Sequence, residues 1–342
     1  PSFANLAAGD FHLSVVSPCI NSGNNAFVSD DADLDGHPRI AGGTVDMGAY
    51  EFQSLSPGHF VSLSSVNPVS PYASWDTAAT NIQDAIDAAS AGDFVIVSNG
   101  IYQTGGRTAG GYALTNRVVV DKAVTVQSVN GAKFTAIAGF GKGSSAVRGV
   151  YLAGGASLTG FTLMNGGTMT SGDMTNQQSG AGVWCEDNSA IISDCIFTNN
   201  YAWEYGGAAY QGTLNNCLIV SNSAFFSGGG TFRADANNSS FIRNRIIQGY
   251  GGGGACYGTL NSCLVSSNFA FNGGGVCSNL LNNCLLKKNS ASIGGGAYNS
   301  VLVNCTVVSN TVSSTGGGMY GGSATNSIIY YNSAPVDVNV GS

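Results

Sequence analysis

Three histidines, His12, His37 and His59, are the only imidazoles in the 342-residue sequence, and none lies beyond residue 59. The long remainder therefore carries no Ser-His-Asp, Cys-His or multi-histidine metal constellation. Nine cysteines without a CxxC pair argue against both a disulfide framework and a zinc ribbon. Chemistry there would fall to carboxylates, because hydrolysis of a glycosidic bond needs two of them facing a groove. Four come near one another in the repeat that follows: Glu186, Asp187, Glu204 and Asp235. Arg233, Arg243 and Arg245 lie close in sequence, and Trp184, Tyr201, Trp203 and Tyr205 could stack on sugar rings. An insert, Thr168 to Ser179, could overhang them. The simpler reading of the same residues is a solvated face with loop aromatics, which needs no catalysis.

A second acidic group precedes residue 52. Asp31, Asp33, Asp35 and Asp46 surround a D-x-D-G run. Hard oxygen ligands at alternating positions beside a glycine suit Ca²⁺, but no Glu occupies the twelfth position from Asp31, so an EF-hand loop is not completed. The alternative is a loop whose aspartates cap turns. No other cofactor is required by any motif.

These residues hang on a repeat. Asn200, Asn222, Asn244, Asn268, Asn289, Asn310 and Asn332 recur at steps of 22, 22, 24, 21, 21 and 22. Cys195, Cys217, Ser239, Cys263, Cys284, Cys305 and Ser327 keep the same steps, and glycine clusters close before Ala209, Thr231, Ala255, Val276, Ala297 and Met319. Apolar runs of three to five residues between Gly and Asn are too short for helices and suit strands turning corners. The expected fold is all-β: a right-handed parallel β-helix with coils of about 22 residues. The Asn column is expected to form a buried turn ladder, since Asn tolerates left-handed backbone. The Cys column is expected to stack inward as free thiols. An aromatic column is read through Trp184, Tyr210, Phe232, Tyr257, Tyr298 and Tyr320.

Composition fits a rod of strands. Charged residues are 9%, Gly numbers 50 and the net charge is -7. That balance disfavours nucleic acid and other polyanions. No apolar run reaches the roughly 20 residues of a membrane span.

Residues 77 to 92 place Ala79, Ile82, Ala85, Ile86 and Ala89 on one helical face, with Thr77 as expected N-cap and Gly92 as C-cap. An amphipathic helix is a natural cap for a solenoid, covering its first core layer. The run IQDAIDAASAGDFVIVSNGIY resembles the opening cap of the pectate-lyase-like right-handed β-helix superfamily, over residues 60 to 342. That resemblance implies the fold and little about activity, because lyases, hydrolases and adhesins share it.

Residues 1 to 53 differ. GDFHLSVVSPCINSGNN and DADLDGHPRIAGGTVDMGAYEF resemble the closing segment of secreted bacterial β-helix proteins of the choice-of-anchor Q type, which there follows the solenoid. The expected organisation is therefore a closing or strand-donating segment at 1 to 53, a linker and solenoid entry at 54 to 76, and cap plus β-helix at 77 to 342. Residues 1 to 53 would then complete a neighbouring solenoid, making an extracellular or cell-surface structural or adhesive module that joins copies of itself end to end. The competing expectation is a polysaccharide-degrading enzyme, a lyase or glycoside hydrolase, or a non-catalytic glycan-binding module.

Overall fold

A computed structural model describes residues 1–14, 17–41, 44–52 and 58–341. The chain forms two compact units, Pro1–Gly58 and His59–Ser342.

In the second unit each coil of the repeat supplies three short runs. The coil at Val276–Asn282, Leu285–Lys287 and Ser290–Ile293 is representative. Every run pairs in parallel with its counterpart one coil away, for example Leu264↔Leu285↔Thr306↔Ile328 on the second face. The result is the expected right-handed parallel β-helix. Its second face is an unbroken ladder of ten strands from Gly100–Tyr102 to Ile328–Tyr330. At about 4.8 Å per strand the rod is about 45 Å long. Three coils thus precede the seven that the Asn column marks.

Alternation sets the core. In Ile196–Thr198 only Phe197 points inward, and the same middle position holds Leu163, Ile219, Phe241, Val265, Leu286 and Val307, all fully buried. Cys195, Cys217, Cys263, Cys284 and Cys305 are buried as expected, and their sulfurs donate to carbonyls of the preceding coil, as Cys263 Sγ does to Ala236 O at 3.4 Å.

The Asn ladder is continuous. Each side-chain amide donates to the next coil's Asn Oδ1 at 2.9 to 3.1 Å, from Asn200 to Asn332. A second bond runs to a carbonyl of the preceding coil, such as Asn244 Nδ2 to Ile219 O at 2.8 Å. The left-handed backbone belongs not to the ladder asparagines but to the residue before each: Asn199, Ser221, Arg243, Ser267, Lys288, Ser309 and Tyr331 have φ between 54° and 59°. That residue turns the corner and so frees the Asn to point inward. At the opposite corner Gly273 has φ +65°, and a Cβ there would lie 2.2 Å from Val276 O, so only glycine fits.

The cap helix α1 spans Ile82–Ala88, shorter than the pattern suggested. Asn81 caps it, accepting from Asp84 N at 2.9 Å, while Thr77 closes a separate 3-10 turn. Ala79 cannot be helical because its N–H bonds Phe60 O at 2.8 Å, pairing with the strand Gly58–Val61. Within the segment 54 to 76, expected as linker and solenoid entry, the strand Gly58–Val61 joins the cap, and residues 54–57 lie outside the described residues. Ile82, Ala85 and Ile86 seal the first coil as anticipated.

The first unit holds an antiparallel pair, Phe3–Asn5 with Asp10–Leu13, and a turn-rich acidic segment.

Candidate functional site

The acidic turn comes first. Asp33 accepts backbone N–H bonds from Asp35, His37 and Glu51 at 2.9 to 3.0 Å. Burial opposes its ionisation, but those three amides outweigh burial and hold its carboxyl below the usual range. Asp46 accepts from Asn21 N and Phe52 N. Both carboxylates thus act as turn caps. Among the described residues, the ligand atoms that converge are those of Asp33, Asp35 and His37, within 4.8 Å of one another. Asp31 and Asp46 are not in that set. His12, bonded to Asp10 and Asp35, has its pKa raised by both carboxylates, Asp10 first.

On the rod, the strand register builds an outward stack from Tyr151, Trp184, Tyr210 and Phe232. Ring centroids lie 5.2, 6.1 and 5.9 Å apart, nearly parallel. The next position is Cys256, not Tyr257. Tyr257 instead adopts φ +53° and projects to solvent, so the column expected through it is corrected by one residue.

The stack is covered rather than open. Trp184 is buried and its Nε1 donates to Thr175 O at 3.0 Å; Tyr205 lies over Phe232 at 4.4 Å. The insert does overhang, held from below by Arg148. This guanidinium is fully buried, donating to Gly180 O, Asn176 O, Ser179 O and Asn116 Oδ1. Burial draws its pKa down to about 9. Trp184 has no free face for a sugar.

Three of the four acids are each held by local donors. Glu186 accepts from the Tyr151 hydroxyl and from Gly154 N. Asp187 is tied to the Ser189 hydroxyl and N–H, which lower its pKa. Asp235 accepts from Asn188 Nδ2 at 2.9 Å and Thr259 N at 2.8 Å. Only Glu204 departs from this pattern: it is buried, and burial raises its carboxyl pKa. Of the aromatic candidates, Trp203 stacks on Phe225 at 4.4 Å and Tyr201 receives Lys142 at 5.2 Å.

That last pair leads to a surface that the acids do not share. On the third face, register carries Trp203 to Phe225, Ile247 and Phe271 on successive coils. Tyr250 packs edge-on against Phe271 at 5.5 Å and is 68% exposed; Ile247, Phe269 and Phe271 are about half exposed. Along the adjoining corner lie Arg243, Arg245, Lys287 and Lys288. Among the described residues none of these four cations forms an ion pair. Residues 218 to 226, 240 to 250, 264 to 273 and 285 to 293, which build this strip, contain no acid. The arginines and Trp203 were visible in the sequence. Ile247, Tyr250, Phe269 and Phe271 were not, because only the register shows that they share a face.

No known family profile matches the chain, and no curated protein matches it. Solved structures of similar fold exist. An alginate lyase from Paenibacillus sp. str. FPU-7 is 11% identical with TM-score 0.44, covering 76% of this chain and 96% of its own. Pectate lyase Pel9A is 13% identical with TM-score 0.46, covering 83% and 77%. A rhamnogalacturonan lyase is 11% identical with TM-score 0.42, covering 80% and 75%. The likeness is one of fold, and no residue role passes from those enzymes to this chain.

Proposed function

We propose that the β-helix is a glycan-binding module whose third face holds an acidic polysaccharide lengthwise. The carrying observation is the acid-free strip in which Phe225, Ile247, Phe271 and Tyr250 run beside Arg243, Arg245, Lys287 and Lys288. Apolar and aromatic faces accept the C–H side of pyranose rings, and arginine forks accept carboxylates in pairs. A net charge of -7 disfavours polyanions for the molecule as a whole. It does not govern a strip whose own segments carry cations and no acid, since exposed charges farther off than a Debye length of about 8 Å are largely screened. The engaged acids Glu186, Asp187 and Asp235 favour binding over hydrolysis, since carboxylates held by several donors are poor proton donors.

Affinity electrophoresis in gels containing polygalacturonate, alginate or neutral dextran tests this. Retardation by the two polyuronates, weakened several-fold by Arg243→Ala with Arg245→Ala and by added salt, is expected. Equal retardation by dextran, or none by any of the three, overturns it.

A second reading, end-to-end assembly, is favoured by a separate observation. The strand Ile328–Tyr330 pairs on one edge only among the described residues, and Ile328, Tyr330 and Tyr331 are 60 to 76% exposed. A partner strand laid on that edge would satisfy the backbone and cover the rings. Residues 1 to 53, from a neighbouring unit, are our proposed partner.

A further inference from the structure

Eight of the nine cysteines are buried, but they fall into environments of different chemistry. The inner set, Cys195, Cys217, Cys263, Cys284 and Cys305, sits at a corner of the core with sulfurs committed to carbonyls. Cys256 and Cys277 interrupt the outer aromatic stack, between Phe232 and Tyr298, and are direct partners across two parallel strands. Side chains at partnered positions point the same way, so the two sulfurs stand side by side outside the sheet.

The space around them is small and shared. A Cβ on Gly251 would lie 3.2 Å from the Cys256 sulfur and 3.6 Å from the Cys277 sulfur, so both face one point above the sheet. The Cα spacing of parallel neighbours, about 4.8 Å, falls in the range of about 4.4 to 6.8 Å that a disulfide spans. Exposure differs: Cys256 is 2% and Cys277 8% exposed, making Cys277 the sulfur nearer to solvent. The neighbouring Cys256 thiol, the Ser278 hydroxyl and the Gly252 N–H together lower the Cys277 pKa against the opposing effect of burial, while that of Cys256 rises. The more exposed Cys277 is the sulfur that a small oxidant reaches first, with Cys256 behind it.

We propose that Cys256 and Cys277 form a peroxide-responsive dithiol on the outer face of the rod, which closes to a disulfide linking adjacent coils. The Cys277 thiolate attacks one oxygen of hydrogen peroxide; the O–O bond breaks, an S–O bond forms, and hydroxide leaves as water after taking a proton. The Cys256 sulfur then displaces that sulfenic oxygen. An S–S bond forms, the S–O bond breaks, and the oxygen departs as a second water with the Cys256 proton. The two thiols lose two electrons and the peroxide gains them.

The test is exposure of the folded chain to hydrogen peroxide, followed by acid quench, alkylation and chymotryptic mass spectrometry. Chymotrypsin separates Cys256, Cys263, Cys277 and Cys284, because Tyr257, Leu260, Leu264, Phe269, Leu280 and Leu281 lie between them. The expected product is one cross-linked pair carrying Cys256 and Cys277, lighter by two hydrogens and reversed by dithiothreitol, with the inner cysteines alkylated as before. Cys256→Ser should halt the reaction at the sulfenic acid, trapped as a dimedone adduct on Cys277. Free Cys256 and Cys277 after peroxide, a dimedone adduct in the unsubstituted chain without cross-link, or pairing among Cys263, Cys284 and Cys305 instead would each overturn the proposal. Should Cys256→Ser fail to fold, Cys277→Ala is read for loss of both products.

Discussion

Asn244 carries the cost of a buried amide. It is fully buried, donates to Asn268 Oδ1 and Ile219 O, and accepts from Asn222. Removing it orphans groups on two other coils, and each buried polar atom left unpaired costs about 1–3 kcal/mol. Asn244→Ala should therefore lower unfolding free energy by at least that much in a urea titration, whereas Asn238→Ala, at an exposed left-handed corner, should cost less. Two acids titrate with opposite sign. Burial raises the Glu204 pKa, so the folded state holds that proton more tightly, and stability falls as pH rises through the raised value. Glu204→Gln should raise the melting temperature at pH 7 and make no difference below pH ~4. Asp93 is opposed by burial, yet the Ser90 N–H and His59 bring it below its usual value. Its contribution is present above the ordinary carboxylate range and is lost as pH falls through the lowered value, so Asp93→Asn should flatten the acid limb of the same melts.

At the scale of elements, the coils were legible because three columns repeat one period, and each column serves one corner or one core position. The corner geometry was not, because φ belongs to the residue before each ladder Asn, and that position holds residues as different as Arg243, Lys288 and Tyr331. A corner in left-handed geometry constrains the backbone more than the side chain, so it leaves little composition to read. Asn304 shows the same geometry, exposed at its corner with φ +54° beside the buried Cys305. The helix was legible in existence and not in extent, since a β bridge claims Ala79 before the helical face can use it. Nor does any local pattern show that the insert 168 to 179 is pinned by Arg148, 20 residues or more away in sequence. Arg148→Met keeps bulk and removes every donor to Asn176, Ser179 and Gly180. Limited proteolysis should then cut within 168 to 179 at least several-fold faster, and Trp184 emission should shift to the red as its ring meets water.

For the whole molecule, the distribution of charge matters more than its total: acids crowd the first 52 residues, while the strip built by residues 218 to 226, 240 to 250, 264 to 273 and 285 to 293 carries cations and no acid. If residues 1 to 53 close a neighbouring rod, electron microscopy should show rods with an axial repeat near one unit's length, and deletion of residues 1 to 53 should leave short single particles. Single particles from the intact chain would sink that reading and leave the glycan strip untouched. The Asn ladder adds a further consequence. Every rung donates in one direction, from Gly166 N into Asn200 Oδ1 at one end to Asn332 Nδ2 into Asn339 Oδ1 at the other. The amide dipoles are thus aligned like a row of arrows, and the rod has unlike poles. Two rods meeting through a twofold axis would set like pole against like, so a stack that extends the ladder must be vectorial, each unit pointing the way of the one before it.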